Sequence, residues 1–269
     1  MEKTPVLSMP QAYDKWLVPR LFAPWGERLI AATRLKPDDH VLDVATGPGT
    51  IARLAATHVG ARSHVVATDI APFMLDLARG KPALPDAAPI TYRLSPAMPL
   101  AVAEQSFDIA FCQQGLQFFP DRVGSLREMH RALRPGGQVA IGLWAEIARN
   151  SYFAVVQRIL LAQGLRQAAQ IIEAPFAWPQ AERLYHSLEQ AGFTQIEIVT
   201  ETKPVVFEAG VGQALSAIEA TPIHPVLQTL SPAHRAKLDD ALAVEFEKLR
   251  AGNAVQALST CHIATADLG

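Results

Sequence analysis

The stretch that decides the fold reads Val41-Leu42-Asp43-Val44-Ala45-Thr46-Gly47-Pro48-Gly49-Thr50. It opens with a short, mostly apolar run, His40 to Ala45, which has the profile of a buried parallel strand. Two glycines follow, and a helix is predicted from Ile51 to His58. Glycine lets the backbone turn sharply and approach a ligand closely, and the start of a helix offers unpaired N–H groups. The stretch therefore predicts either a ligand-binding loop or a tight turn that binds nothing.

Strands and helices alternate along the chain downstream of this loop. Further strands are predicted at 63–69, 90–94, 107–112 and 138–144, and further helices at 72–79 and 122–133. This alternation is typical of βαβ units with a parallel sheet and right-handed crossovers. After Trp144 the order changes: we expect helices over 150–190, a strand pair or hairpin over 195–207 interrupted by Pro204, a helix from Ser231 to about Arg250, and a strand at 255–266.

Composition and charge narrow the class of protein. Hydrophobic residues make up 49% of the 269 residues, which can bury a sizeable core and argues against a disordered chain. The 24 basic and 26 acidic residues nearly balance, so nucleic acid is not an expected partner. The start of the chain lacks the pattern of a signal peptide, and no segment approaches the ~18 uninterrupted apolar residues of a membrane span. We expect a soluble, cytoplasmic protein.

Two cofactor classes compete for the glycine loop. Gly47-x-Gly49-x-x-Ala52, with Asp69 placed 20 residues past Gly49, also satisfies the dinucleotide fingerprint of nicotinamide-dependent oxidoreductases. Asp43 argues against that alternative, because a carboxylate in the strand favours a cofactor with an ammonium and a sulfonium over a pyrophosphate. Asp43 as a structural acid that caps the loop is a competing role, and the two roles can coexist.

Several ordered motifs together resemble a known family. They are the loop around Asp43, Ser106-Phe107-Asp108-Ile109, Gln113 to Asp121, Leu133-Arg134-Pro135-Gly136-Gly137, and the lead-in Tyr13-Asp14-Lys15-Trp16. This ensemble is similar to the class I S-adenosylmethionine-dependent methyltransferases, especially the ubiquinone/menaquinone-biosynthesis C-methyltransferases. The resemblance covers residues 11–144 and becomes thin after 144. A catalytically silent methyltransferase-like binding module is the non-enzyme alternative.

The resemblance implies S-adenosylmethionine as cofactor and S-adenosylhomocysteine as its product. Asp43 would orient the loop and reach the ammonium of the methionine part, directly or through water. Asp69, which ends the second strand, would accept hydrogen bonds from both ribose hydroxyls. The remaining cofactor-binding residues that the resemblance implies are Ala45, Thr46, Gly47 and Gly49 around the methionyl part, Ile70 and Met74 on the adenine face, and Gln113 near the reactive methyl group.

One segment departs from the family pattern. The family usually places an aspartate that binds the adenine amino group in a GDAxxLPF-like segment. Here the matching segment is Arg93 to Leu100, with Leu94 at the aspartate's position. Adenine would then be held by backbone groups around Ser95, by the Ser95 hydroxyl, or by water. We expect weaker or differently organised adenine binding.

The resemblance implies an α/β fold with a Rossmann-like seven-stranded methyltransferase sheet and a helical cap insertion. Four segments are expected: an N-terminal helical lid (1–40), the cofactor-binding α/β core (41–144), the helical cap insertion (145–190), and C-terminal strands and helix that complete sheet and cap (191–269).

The acceptor is expected to be a small molecule with an oxygen, nitrogen or carbon nucleophile. In the stretch 151–165, Tyr152, Phe153, Val156 and Leu160 fall on one broad helical face, which predicts an apolar lid over an apolar or ring-bearing acceptor. A helix that only packs within the cap is the competing interpretation of each residue.

The sequence singles out no catalytic general base, and it leaves the oligomeric state open, a homodimer included. Metal binding is not expected, because the histidines lack HxxxH and HExxH spacing. Cys112, on an apolar strand, is expected to be a packed thiol.

Overall fold

The computed structural model describes residues 8–269 and contains one mixed β-sheet. The first seven residues of the predicted N-terminal segment 1–40 lie outside the described residues. The strands are β1 (Val41–Val44), β2 (Val65–Asp69), β3 (Ile90–Leu94), β4 (Phe107–Gln113), β5 (Leu133–Trp144), β6 (Phe193–Phe207), β7 (Arg250–Ala251) and β8 (Ala254–Leu268). They lie in the order β3-β2-β1-β4-β5-β8-β6, and the short β7 pairs with β8.

The parallel part of the sheet is centred on β1. Val41 lies opposite Val65 of β2 on one side and opposite Ile109 of β4 on the other. All four residues of β1 are buried, as expected of a central parallel strand. Farther along, β8 runs antiparallel to β5, with Trp144 opposite Cys261. This arrangement confirms the predicted Rossmann-like α/β sheet.

Eleven α-helices accompany the strands in the described part of the chain. They are α1 (Met9–Trp16), α2 (Ala23–Ala31), α3 (Thr50–Val59), α4 (Pro72–Arg79), α5 (Arg122–Ala132), α6 (Ser151–Ala162), α7 (Arg166–Glu173), α8 (Ala181–Gln190), α9 (Val211–Ile218), α10 (His224–Gln228) and α11 (Pro232–Glu247). The predicted cap of α11 is present, since Ser231 Oγ accepts a hydrogen bond from His234 N at 3.3 Å.

The chain divides into two compact units. The sheet unit consists of residues 23–145, 178–201 and 261–269. One core cluster of this unit joins strand residues such as Leu42 and Ile141 to Leu126 of α5 and Leu184 of α8. Burying such side chains provides most of the favourable free energy of folding.

Among the described residues, the helical unit consists of 8–22, 146–177 and 202–260. Its core is aromatic: the buried Tyr152 ring lies 4.9 Å from Phe207 and is stacked at 5.3 Å on Phe246. The Tyr152 hydroxyl donates a hydrogen bond to Ala214 O at 2.8 Å, so its polar end is satisfied. Three of the four residues predicted to form a lid face, Tyr152, Val156 and Leu160, are therefore buried core residues, and Phe153 is half-buried.

Two predicted boundaries differ from the structure. The strand pair or hairpin predicted over 195–207 was wrong, because β6 runs unbroken through Pro204. β6 lies at the edge of the sheet, where the missing N–H of a proline needs no partner. β5 already begins at Leu133, which pairs with Phe107, and the register then shifts so that Gln138 lies opposite Ile109.

Candidate active site

The loop between β1 and α3 leaves the strand through left-handed backbone conformations. Ala45, Gly47 and Gly49 have φ angles of 58°, 54° and 80°, which favour glycine. A Cβ added at Gly47 would meet nothing within 4 Å, whereas one at Gly49 would lie 2.8 Å from the Tyr92 hydroxyl. The two glycines therefore serve different purposes. Gly47 leaves the backbone open to a ligand, and Gly49 lets Tyr92 of β3 pack against the loop.

Asp43 is buried in β1 and holds this loop. Its Oδ2 accepts hydrogen bonds from Thr46 Oγ1 at 2.5 Å and from Ala52 N at 3.0 Å. Burial raises the pKa of Asp43 to about 7 against the lowering effect of these two bonds, and the charge of Asp69 adds to the rise. Its Oδ1 is buried and accepts no hydrogen bond from the described residues. Asp43 thus caps the loop and keeps one oxygen for an ammonium group or a water molecule.

Asp69 connects the loops that follow the first three strands. Its Oδ2 accepts a hydrogen bond from Gly47 N at 2.7 Å, and its Oδ1 accepts one from Ala71 N at 2.8 Å. Its backbone oxygen accepts a third from Ser95 N at 3.0 Å. Each carboxylate oxygen has a second lone pair, so Asp69 can hold its loops and still accept hydrogen bonds from a ligand.

A cavity of about 630 Å³ lies at the carboxyl ends of the strands, where open α/β sheets bind their ligands. The predicted site residues that line it are Ala45, Gly47, Asp69, Ile70, Met74 and Ser95. The predicted residues that are not among its lining are Asp43, Thr46, Gly49, Leu94 and Gln113. Asp43 and Thr46 hold the loop through the hydrogen bond between their side chains.

Four large apolar side chains of the cavity lining are exposed. Ile70 is 73% exposed, Phe118 56%, Met98 51% and Phe73 49%. Contiguous exposed apolar side chains of this size commonly mark a binding surface. The arrangement suits a ligand that presents a flat, apolar group to these side chains.

The chain is similar in sequence and in fold to known proteins. Residues 42–141 match a family model described as a methyltransferase domain. The chain is 27% identical over 194 residues to a demethylmenaquinone methyltransferase of Listeria monocytogenes, which covers 68% of this chain and 81% of that protein. It is 29% identical over 195 residues to a ubiquinone/menaquinone biosynthesis C-methyltransferase of Xanthomonas axonopodis pv. citri, covering 68% and 76%. The chain is a class I S-adenosylmethionine-dependent methyltransferase.

The likeness extends to solved structures. The YcgJ protein of Bacillus subtilis matches with a TM-score of 0.58 at 14% identity, covering 90% of the methyltransferase and 97% of that chain. At this identity the match concerns the fold alone. The family match and the two relatives favour the methyltransferase over a nicotinamide-dependent oxidoreductase or a silent binding module.

The methyltransferase site fits its cofactor on two structural grounds. S-adenosylmethionine, the cofactor of this enzyme class, carries an ammonium group, and Asp43 offers a buried oxygen that accepts no other hydrogen bond from the described residues. The cofactor must also approach the loop backbone, and the space beside Gly47 is open. A nicotinamide dinucleotide would bring a pyrophosphate, for which a buried carboxylate beside the loop is unfavourable.

The segment after β3 presents different residues to the cavity than the sequence predicted. Leu94 is 59% exposed and lies outside the lining, whereas Pro96 and Ala97 belong to it. β3 ends at Leu94, and Ser95 N donates the last bond of the ladder between β3 and β2 to Asp69 O. The Ser95 hydroxyl donates to Pro96 O at 2.8 Å and accepts from Ala101 N at 3.0 Å.

The loop after β4 reaches the cavity one residue later than predicted. Gln114, not Gln113, lines the methyltransferase cavity. Gln114 has a positive φ of 55°, and its Nε2 lies 3.1 Å from Cys261 Sγ, to which it donates. A Cβ at Gly115 would lie 2.7 Å from Ala45 Cβ, so this glycine lets the two loops touch. A glycine directly after two glutamines was the signal in the sequence for this close contact. The sequence did not show which of the two glutamines lines the cavity.

The start of α5 supplies further lining that the sequence analysis missed. Asp121 and Ser125 both line the cavity. Asp121 caps α5 by accepting a hydrogen bond from Gly124 N at 2.8 Å. An aspartate three residues before a glycine, directly ahead of a predicted helix, was the signal available in the sequence.

Cys112 has the environment predicted for it. It is fully buried, and burial together with the charge of Asp43 raises the pKa of its thiol to about 12. At neutral pH it is a packed thiol, not a nucleophile. Within residues 8–269, no group of three or more histidines, cysteines, aspartates or glutamates could hold a metal ion. The same range contains no helix with the length and apolar composition needed to cross a membrane.

Proposed function

We propose that this methyltransferase transfers the methyl group of S-adenosylmethionine to a small apolar or aromatic acceptor. The exposed apolar side chains Phe73 and Phe118 of the cavity lining carry this proposal, because they would otherwise face water. Two relatives point the same way, since their names describe methylation in menaquinone and ubiquinone biosynthesis. The cytoplasmic location remains a prediction.

The methionine end of the cofactor is assigned to the loop after β1. Asp43 Oδ1 receives the ammonium group directly or through water, and the backbone of Ala45, Thr46 and Gly47 surrounds the methionyl part. The bond between Asp43 and Thr46 supports this assignment, because it holds the loop around the open carboxylate oxygen. Gly49 contributes by forming the turn, because its φ of 80° and its contact with Tyr92 leave no room for a side chain.

The nucleoside end is assigned to the loops after β2 and β3. Asp69 accepts hydrogen bonds from the ribose hydroxyls, and Ile70 and Met74 pack on the adenine face. Ser95 lines the same cavity, which supports a place for it beside the adenine, whereas Leu94 would act only through the backbone. Gln114 takes the place that Gln113 was predicted to fill near the reactive methyl group.

The cofactor, when bound, supplies a methyl group on a sulfonium that loses its charge as the methyl leaves. The residues of the site contribute alignment and a dry environment, which are large effects for such a transfer. Cys112 cannot serve as a base, since burial keeps its thiol protonated. An acceptor that arrives already deprotonated, or that loses its proton to water, fits this site.

A turnover assay tests the proposal. Release of S-adenosylhomocysteine is measured with matched panels of quinols, phenols, amines and highly charged small molecules. Methylation of the quinols or phenols is the expected result, and turnover confined to the charged molecules would overturn the acceptor class. Titration calorimetry with S-adenosylhomocysteine, NAD and NADP tests the cofactor separately, and only the first is expected to bind.

A further inference from the structure

One carboxylate of the cavity has an oxygen that accepts no hydrogen bond from the described residues. Among the described residues that line the cavity, only Asp69 and Asp121 carry carboxylates. Both oxygens of Asp69 accept backbone N–H groups, from Gly47 and Ala71. Asp121 Oδ1 accepts the N–H of Gly124, and its Oδ2 accepts no hydrogen bond from the described residues. Asp121 therefore places an open, negatively charged acceptor in the cavity wall.

This carboxylate lies beside the segment that follows β3. A Cβ built on Gly124 would lie 2.5 Å from Asp121 Oδ2 and in still closer contact with Met98 Sδ, so both side chains converge on this glycine. The same segment is bound to α5 farther along, because Leu100 N donates to Glu128 Oε2 at 2.7 Å. The start of α5 and the segment after β3 therefore form one wall of the cavity.

The segment after β3 offers few side-chain acceptors of its own. Pro96 and Ala97 have apolar side chains, which accept no hydrogen bonds. The hydroxyl of Ser95 is already engaged with Pro96 O and Ala101 N. A ligand group that donates hydrogen bonds next to this segment therefore has its strongest acceptor in Asp121, the N-cap residue of α5.

The adenine base is the part of the cofactor that suits this place. The exposed side chains of Ile70 and Met98 offer apolar surface to a flat ring. The adenine ring carries one exocyclic amino group, which donates hydrogen bonds. We propose that Asp121 Oδ2 accepts a hydrogen bond from this amino group, so that α5 makes the enzyme selective for an amino-bearing base. This proposal rests on the proposed binding of S-adenosylmethionine in the cavity.

Replacing the amino group by a carbonyl tests the proposal. S-inosylhomocysteine carries a carbonyl oxygen where S-adenosylhomocysteine carries the amino group, and a carboxylate repels it. We expect the unmodified enzyme to prefer S-adenosylhomocysteine by about 10- to 100-fold in calorimetric Kd, the range of a hydrogen bond to a charged group. Asp121→Asn supplies an amide that can donate to the carbonyl, and the preference is expected to fall by about tenfold or more.

The variant keeps the helix cap, because asparagine and aspartate are equally good N-caps. Asp121→Ser, which also caps a helix, provides a second variant and is expected to reduce the preference as well. The matched control is Asp76→Asn on α4, whose side chain is 74% exposed and lies outside the cavity lining; its preference is expected to stay unchanged. Thermal unfolding of each variant checks that the fold is retained.

The outcomes separate this inference from the proposed function. Binding of S-adenosylhomocysteine with an undiminished preference in both Asp121 variants would overturn the role of Asp121 and leave the cofactor assignment intact. Failure of the unmodified enzyme to bind S-adenosylhomocysteine would overturn the cofactor assignment and the inference with it.

Discussion

The sheet unit and the helical unit are stabilised by different interactions. In the sheet unit, buried carboxylates accept hydrogen bonds from backbone N–H groups of neighbouring segments, as Asp43 does from Ala52 N and Asp69 does from Gly47 N. In the helical unit, the core at Tyr152 is a stack of aromatic rings with one satisfied hydroxyl. Substitutions in the first region are therefore expected to alter cofactor binding. Those in the second are expected to alter stability or acceptor affinity.

The largest effect is expected at the glycine loop. Gly47→Val is expected to abolish S-adenosylhomocysteine binding, because its side chain would occupy the open space beside the loop. The circular dichroism spectrum should stay largely intact, with a stability loss of about 1–2 kcal/mol for a left-handed non-glycine residue. Gly49→Val should abolish binding too, with a larger stability loss, since it also meets the Tyr92 hydroxyl at 2.8 Å. Normal calorimetric binding by either variant would mean that the loop is only a structural turn.

Asp69→Ala is expected to have the next largest effect. It should weaken S-adenosylhomocysteine binding by about 1.5–3 kcal/mol, the scale of lost hydrogen bonds to a charged group. The melting temperature should fall as well, because Gly47 N and Ala71 N lose their acceptor. Titration calorimetry and thermal unfolding measure the two effects separately. An unchanged affinity would remove Asp69 from the proposed ribose site.

Asp43 predicts a pH dependence of cofactor binding. Its ammonium-binding role requires the charged carboxylate, and burial raises its pKa to about 7. The affinity for S-adenosylhomocysteine should therefore fall by about tenfold per pH unit below 7 and level off above it. Calorimetry from pH 6 to 8 measures this slope, and Asp43→Asn should remove it. A slope that persists in Asp43→Asn would assign the titration to another group.

The same group affects the stability of the free protein with the opposite trend. Its pKa rises from 3.8 in the unfolded chain to about 7 in the folded one, so the folded protein binds more protons between these values. The free energy of unfolding should therefore decrease as the pH rises from about 4 to about 7 and then level off. Denaturant titrations at several pH values measure this decrease, and Asp43→Asn should lack it.

The smallest effect is expected in the helical unit. Phe153 is half-buried, with its ring 5.4 Å from Phe176. Phe153→Ala should raise the KM for the acceptor severalfold and barely change S-adenosylmethionine affinity. The matched control is Tyr152→Phe, which should cost about 1 kcal/mol of stability through the bond lost to Ala214 O and leave this KM unchanged. Equal loss of both affinities in Phe153→Ala would contradict its assignment to the acceptor.

Local patterns predicted the elements that form the cavity. The run from His40 to Ala45 became β1, and both α4 and β3 have the predicted bounds, 72–79 and 90–94. These elements depend on apolar periodicity and on proline and glycine at their ends, which nearby residues determine. The resemblance of the glycine loop to the loop of methyltransferases depends on the same local pattern.

Contacts between distant segments decided the rest of the site. Sequence alone did not reveal that Asp69 binds Gly47 N, because Asp69 ends β2 and Gly47 lies in the loop after β1, and only the sheet brings them together. The choice of Gln114 over Gln113 depends on how the chain turns after β4, where Cys261 of β8 accepts the hydrogen bond of the amide. Asp121 reaches the cavity only because α5 packs beside the segment after β3.

The amino-acid sequence determined the strand-turn-helix at residues 41–59, because glycine conformation and helix starts are local properties. The kind of cofactor followed from the resemblance of this and the later motifs to a known family. The tertiary structure decided which side chains face the cavity. Pro96 and Ala97 do so instead of Leu94, because Leu94 is still held in the ladder between β2 and β3 and only the segment after it reaches the cavity. A side chain's direction at the end of a strand depends on the neighbouring strand and loops, and these come from sequence positions far away.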